Sequence, residues 1–298
     1  MTSRSAISRD ALSAGIRYKI GPFTTVLRSN SDQIFDCFSE LYAFYDFVGE
    51  ESFVDFEISV TDRRNLIRGR QSHFRAGLEA PFPPHDPKHA LPLLEWGTNW
   101  CVAQTCNAFL VLHCGVVHFN GRTFLLPASP GSGKSTLSVS LDQMGAQLLS
   151  DEFGLLNPDT LEAQSYPRLV PIKNDAISVI RTSFPKATLG PTIANTRKGT
   201  IAHYRPTKQS IEGPSSRKPD AIYFPMFDRT AKPSLSHMPK EEAFIKLTNN
   251  AFNYHLLGKV AFDTLAQLVN DCETCAFTYS STESALELLS KAPPAQRN

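Results

Sequence analysis

No stretch of this chain approaches the roughly 20 apolar residues needed to cross a bilayer, and residues 1–17 hold no apolar segment of the secretory type. A cytoplasmic protein without a membrane partner is therefore expected. Net charge is also lacking: 30 Lys+Arg against 29 Asp+Glu, with no long basic run, leave no electrostatic footprint for nucleic acid. The six cysteines are too sparse and too unevenly spread for a disulfide framework. Cys272-Glu-Thr-Cys275 has the spacing of a redox or zinc pair, but no second Cys or His pair with matching spacing is near, so two core thiols are expected there. Internal repeats and low-complexity segments are missing as well. What remains is ordinary globular material: 298 residues, 41% of them hydrophobic, enough for one large core with a smaller neighbour.

"IRYKIGPFTTVLRS" and "SFVDFEISVT" alternate as strands do, and "SDQIFDCFSELYAFY" between them repeats apolar residues at helical spacing behind a Ser-Asp start. A small α+β N-terminal domain over residues 1–85 follows. "APFPPHDPKH", Ala80 to His89, carries four prolines in ten residues and reads as a connection. Residues 90–292 then form the larger domain. Its opening reads as a long helix running into a strand, with a hairpin turn at Asn120-Gly121. "FLLPA" reads as a buried strand and "STLSVSLDQMG" as a helix ending at Gly145. "AQLLSDEFGLLN" reads as one strand with acidic residues at its end, and the chain beyond it as rich in loops. "EEAFIKLTNNAFNYHLL" and "KVAFDTLAQLVNDC" are predicted helices, "CAFTYS" a strand, "STESALELLSKA" a capped helix and "PPAQRN" a frayed tail.

Between the buried strand and the helix lies "ASPGSGKS", Ala128 to Ser135, which fits the phosphate-loop pattern [AG]-x-x-x-x-G-K-[ST]. Gly131 and Gly133 let the backbone curl so that successive N–H groups point at one centre, and the helix adds the positive end of its dipole. The reading assigns nucleotide binding to Ser129, Pro130, Gly131, Ser132, Gly133, Lys134, Ser135 and Thr136. Lys134 is placed on the β- and γ-phosphates of ATP and the Ser135 hydroxyl on Mg²⁺. Seventeen residues past Lys134, Asp151-Glu152 ends an apolar strand, where a neighbouring parallel strand could deliver carboxylates beside the metal. Ser135, Asp151 and Glu152 are thus the expected metal ligands.

With His113 before the loop, Gly145 behind it and Asp151-Glu152 beyond, the chain resembles the HPr kinase/phosphorylase family. "YPRLVPIKN", "KGTIAHYRP" and "NNAFNYHLLG" look like segments of its HPr-kinase-related kinase A group, so the likeness spans roughly residues 90–290. It implies an α/β P-loop kinase core of the type shared with phosphoenolpyruvate carboxykinase. It also implies Asp151 as general base toward the acceptor, with His113 close enough to tune it; alone in an apolar run, His113 reads as a core residue. Two departures stand out: Thr136 occupies a position usually held by glutamate in the bifunctional enzymes, and Glu152 replaces a second aspartate. The first removes a charge associated with the reverse reaction, so a kinase alone is expected.

Arg168, Lys173, Lys198 and Arg205, in the loops after the acidic strand, are the expected acceptor-binding residues. The polar Asn250, Asn253 and His255 read as structural. The expected activity is an ATP- and Mg²⁺-dependent kinase acting on a small acceptor, an amino acid taken through a hydroxyl or a side-chain carboxylate. The alternatives are a protein or peptide serine kinase and a non-catalytic nucleotide-binding regulator. Related enzymes are often oligomers, so a homo-oligomer is compatible with the likeness.

Overall fold

A computed structural model of the chain describes residues 7–128 and 131–291. They form a mixed α/β fold divided into two compact units, one comprising the chain up to Thr105 with Thr188–Arg205, the other Cys106–Ala187 and the chain from Pro206 onward. Among the described residues no helix is long and apolar enough to cross a membrane.

The first unit runs α1 (Arg9–Ala14), β1 (Ile16–Ile20), β2 (Phe23–Ser29), α2 (Asp32–Leu41), β3 (Asp46–Phe47), β4 (Phe56–Asn65), β5 (Gly69–Ala76) and α3 (Ala90–Thr105). Its strands make one sheet in the order β3-β1-β2-β4-β5, in which only β2 and β4 pair in parallel. The apolar positions of α2, Ile34, Cys37, Phe38 and Leu41, recur at helical spacing and are buried, and Phe38 stacks on Tyr42. The unit extends past the expected boundary near residue 85 for two reasons. His85, inside the proline-rich segment, exchanges backbone hydrogen bonds of 2.8 and 2.9 Å with Ser72 on β5. Helix α3 then packs on β4 and β5, so closely at Gly97 that a Cβ there would lie 1.9 Å from the Phe74 ring.

The second unit begins with β6 (Leu110–Phe119), β7 (Arg122–Pro127), α4 (Lys134–Gln143), β8 (Gln147–Ser150), β9 (Phe153–Leu156), β10 (Ala163–Gln164), β11 (Val170–Lys173) and α5 (Asp175–Ser183). The chain then contributes an antiparallel pair to the first unit, β12 (Ile193–Thr196) and β13 (Gly199–Tyr204). It returns with α6 (Lys208–Glu212), β14 (Ser216–Arg217), β15 (Ala221–Phe227), β16 (Ser234–His237), α7 (Lys240–Asn249), α8 (Tyr254–Leu257), α9 (Lys259–Asp271), β17 (Glu273–Tyr279) and α10 (Thr282–Lys291). Strand order in the large sheet is β14-β10-β9-β6-β7-β15-β17-β16, with β8 also on β6. Only the β7-β15-β17 stretch is parallel.

Asn120 and Gly121 take positive φ angles of 49° and 76° and close the β6–β7 hairpin, as their dipeptide predicts. The expected single strand of "AQLLSDEFGLLN" is two, β8 and β9, with Asp151-Glu152 in the bend between them. The predicted long helix over residues 241–257 is broken over residues 250–253, and the break ends in Asn253. That side chain, 1% exposed, accepts the Val111 N–H and donates to the carbonyls of Cys106 and Phe109, a structural clamp. Cys272 and Cys275 are buried thiols, pushed up to about 12 and about 11 chiefly by burial. The tail "PPAQRN" lies outside the described residues.

Candidate functional site

Every residue of β7 is buried, and Ala128, only 5% exposed, carries the chain out of it into the glycine-rich loop. Ser129 and Pro130 lie outside the described residues. Gly131 and Gly133 adopt φ angles of 89° and 83°, the left-handed region that glycine enters without strain. Gly133 is also the N-cap of α4, and a Cβ on it would lie 2.6 Å from Tyr279 Oη and 2.9 Å from Phe227 Cβ. Those two residues end β17 and β15 and fix the loop from behind: the Phe227 N–H (3.1 Å) and the Tyr279 hydroxyl (3.4 Å) both donate to the Ser132 carbonyl. The loop is thus held at the C-terminal ends of three adjacent parallel strands, where open α/β sheets present ligand sites.

Lys134 opens α4 yet is only 7% exposed, because it turns back onto Asp151, itself 7% exposed. Its Nζ donates to the Asp151 carbonyl oxygen and lies 3.1 Å from Asp151 Oδ1. Ser135 Oγ donates to Asp151 Oδ2 at 2.8 Å. Burial by itself would raise the Asp151 pKa, but the Lys134 charge and the Ser135 hydrogen bond overcome it and hold the carboxyl below its usual range. Asp151 reaches this point because both strands flanking its bend pair with β6, Ser150 opposite Val116 and Phe153 opposite His113, while Ser150 Oγ closes the bend onto the Phe153 carbonyl at 2.7 Å. Since β7 and β8 each run antiparallel to β6, they point the same way with β6 between them. The acidic bend is therefore delivered across an intervening strand, not by the adjacent parallel strand that the spacing predicts.

His113 is half-buried on β6, its ring edge-on to Phe252 at 5.9 Å. Burial and then the Lys134 charge lower its pKa, against the opposing pull of Glu152 and Asp151, and so favour the uncharged ring. Thr136 and Glu152 are half-buried, and the Thr136 carbonyl accepts from Ser140 Oγ at 2.8 Å. The four expected acceptor-binding residues divide between the units. Arg168, over the Tyr166 ring, and Lys173, whose charge is felt at His113, belong with the loop. Lys198 and Arg205 belong to the first unit, where Arg205 donates to the Glu40 carbonyl at 2.6 Å and Thr188 Oγ1 at 3.1 Å and lies over the Phe44 ring.

Phe227 escapes the sequence reading, which gives Tyr279, on the expected strand "CAFTYS", no part in the site. "AIYFPMF" is apolar enough for a strand, but Pro225 disguises it. The proline is accommodated because pairing with β7 ends at Ile222, leaving only β17 alongside. The donor set suits a hard cation in part, with the Ser135 and Asp151 oxygens side by side. Among the described residues no three His, Cys, Asp or Glu side chains gather to hold a metal unaided. A cation here would need further oxygens from water or from a ligand. No protein-family model matches the chain, and no curated protein is similar enough to it to match.

Proposed function

We propose that the protein is an ATP- and Mg²⁺-dependent kinase with a P-loop core of the HPr kinase/phosphoenolpyruvate carboxykinase type, transferring the γ-phosphoryl group to an amino acid. The observation that carries this reading is the buried Lys134–Asp151–Ser135 constellation at the start of a helix entered through two left-handed glycines. A turn that merely happened to hold a lysine would leave it in solvent. Here lysine, hydroxyl and carboxylate converge where backbone N–H groups and the helix dipole favour an anion.

In this reading the loop N–H groups grip the phosphates, and Lys134 exchanges its contact with Asp151 for phosphate oxygens. Ser135 and Asp151 would hold Mg²⁺, which would supply charge neutralisation on the transferring group. Asp151 orients the acceptor and takes its proton where the acceptor is a hydroxyl. His113, on β6 opposite Phe153, stands near enough to the acidic bend to tune Asp151. Lys173 and Arg168 supply charge for an acceptor carboxylate. An acceptor that brings its own anionic oxygen, the side-chain carboxylate of an amino acid, needs no base, only positioning and charge screening.

The test is incubation of the full chain with γ-labelled ATP and Mg²⁺ alongside a panel of free amino acids and, separately, serine-containing peptides and proteins. Label entering a free amino acid, and lost in Lys134→Ala, is the expected result. Label confined to a peptide or protein would move the assignment to a serine kinase. ATP binding with no transfer to any acceptor would leave a nucleotide-binding regulator.

A further inference from the structure

The outer half of the β4–β5 hairpin leaves the core of the first unit. Phe56, Ile58 and Val60 of β4 are buried, whereas residues 63–70 are all exposed. Asn65 pairs with Gly69, so Leu66, Ile67 and Arg68 form the tip. Leu66 is 100% and Ile67 94% exposed. The tip is an ordered turn: Asn65 Oδ1 accepts the N–H groups of Ile67 (2.9 Å) and Arg68 (3.0 Å), and Gly69 takes φ 73°. Asn65 and Gly69 are the residues this turn needs. The two aliphatics contribute nothing to it, and turn positions ordinarily carry small polar residues.

Along the hairpin beyond Asp62 the charge is of one sign. Between Asp62 and Glu79 there is no acidic residue, while Arg63, Arg64, Arg68, Arg70 and Arg75 fall in that interval. Arg70 is tied to Asp32 and Asp62, each at 3.3 Å, and Arg75 donates to the Leu78 carbonyl. Arg63, Arg64 and Arg68 surround the aliphatic pair as exposed guanidinium groups.

We propose that this hairpin tip is a peripheral contact for an anionic phospholipid surface, Leu66 and Ile67 entering the acyl boundary and Arg63, Arg64 and Arg68 engaging headgroup phosphates. Apolar side chains on a rigid turn ringed by arginine match both layers of such an interface. The aliphatic tip offers no ring on which a nucleic-acid base could stack. Two side chains are also far short of the roughly 800 Å² per partner of a standard protein interface. The proposal departs from the sequence-based expectation of no membrane partner, which rests on the lack of a spanning or secretory segment; a surface contact requires neither.

The test is co-sedimentation of the full-length protein with vesicles of phosphatidylglycerol and phosphatidylcholine in equal parts, beside vesicles of phosphatidylcholine alone. Binding to the first at low salt and little to the second is expected, as is weakening with added salt. The double variant Leu66→Ser/Ile67→Ser should bind about tenfold more weakly with an unchanged melting curve, because neither side chain touches the fold. The triple variant Arg63→Ala/Arg64→Ala/Arg68→Ala should bind about as weakly and lose most of its salt dependence. Failure of the wild type to sediment with anionic vesicles would overturn the proposal, as would undiminished binding by the Ser double variant. Retention on duplex DNA or RNA in place of vesicles would reassign the arginines to nucleic acid and equally overturn it.

Discussion

Lys134 and Asp151 each satisfy the other in a place with little water, and this shapes what substitution there does. Removing one partner leaves the other buried and uncompensated, a loss of about 3–5 kcal/mol. Lys134→Ala and Asp151→Asn should therefore lower the melting temperature as well as abolish phosphoryl transfer by orders of magnitude. Assays run well below each variant's transition separate the two effects. A double Lys134→Met/Asp151→Asn variant should regain part of the stability and none of the transfer, which urea unfolding and the labelled-ATP assay check together. Near-normal transfer in Asp151→Asn would remove Asp151 from the chemistry. The pH dependence has a definite sign. Because folding lowers the Asp151 pKa, its stabilisation is complete above the usual unfolded value of about 3.9 and is lost as pH falls through the folded value. In urea titrations the gap between wild type and Asp151→Asn should be constant at neutral pH and should close at strongly acid pH. The residue types of this cluster were legible in the sequence, since G-K-S follows a buried apolar strand and opens a helical repeat. The ion pair was not, because spacing along a chain says nothing of which side chain folds back on which carboxylate.

Among the elements, the loop is legible and its backing is not. The strand before it and helix after it follow from a continuous apolar run and a helical repeat. β15 is hidden by Pro225, and β8 and β9 read as one strand because Asp151-Glu152 interrupts an apolar pattern that resumes at once. Gly133→Ala tests the backing directly. Left-handed φ and a Cβ 2.6 Å from Tyr279 Oη combine strain with a clash, so a loss of about 2 kcal/mol or more and impaired nucleotide binding are expected. Gly131→Ala meets open space and should lose only the backbone part, about 1 kcal/mol; thermal melts of the two variants give the comparison. Asn253→Ala strips partners from two buried backbone groups and a half-buried one, at about 1 kcal/mol or more for each buried group, and should destabilise the second unit without touching the loop residues. Its helical surroundings suggested a stripe of polar residues; the clamp depends on a helix break that hydrophobic periodicity does not reveal.

For the whole molecule, the mixed α/β class and much of the strand and helix order could be read from periodicity and turn residues, but the partition into units could not. A proline-rich segment looks like a linker by composition, whereas contacts such as the Ser72–His85 pairing and the hydrogen bond of Gln33 to the Lys88 carbonyl show that it is built into a folded unit. The eighteen residues from Thr188 to Arg205 give no compositional sign that they belong with a partner more than eighty positions upstream. Their attachment rests on contacts such as Arg205 to the Glu40 carbonyl and His89 Nε2 to the Ala194 carbonyl at 3.0 Å. The backbone therefore passes between the units three times, at Thr105–Cys106, Ala187–Thr188 and Arg205–Pro206. Severing the first passage does not make two independent proteins. Residues 1–105 and 106–298, produced as separate chains in one cell, should behave as a complementation pair that co-purifies through the donated segment, and loss of co-purification on deleting residues 188–205 from the larger chain would show that this segment is the link.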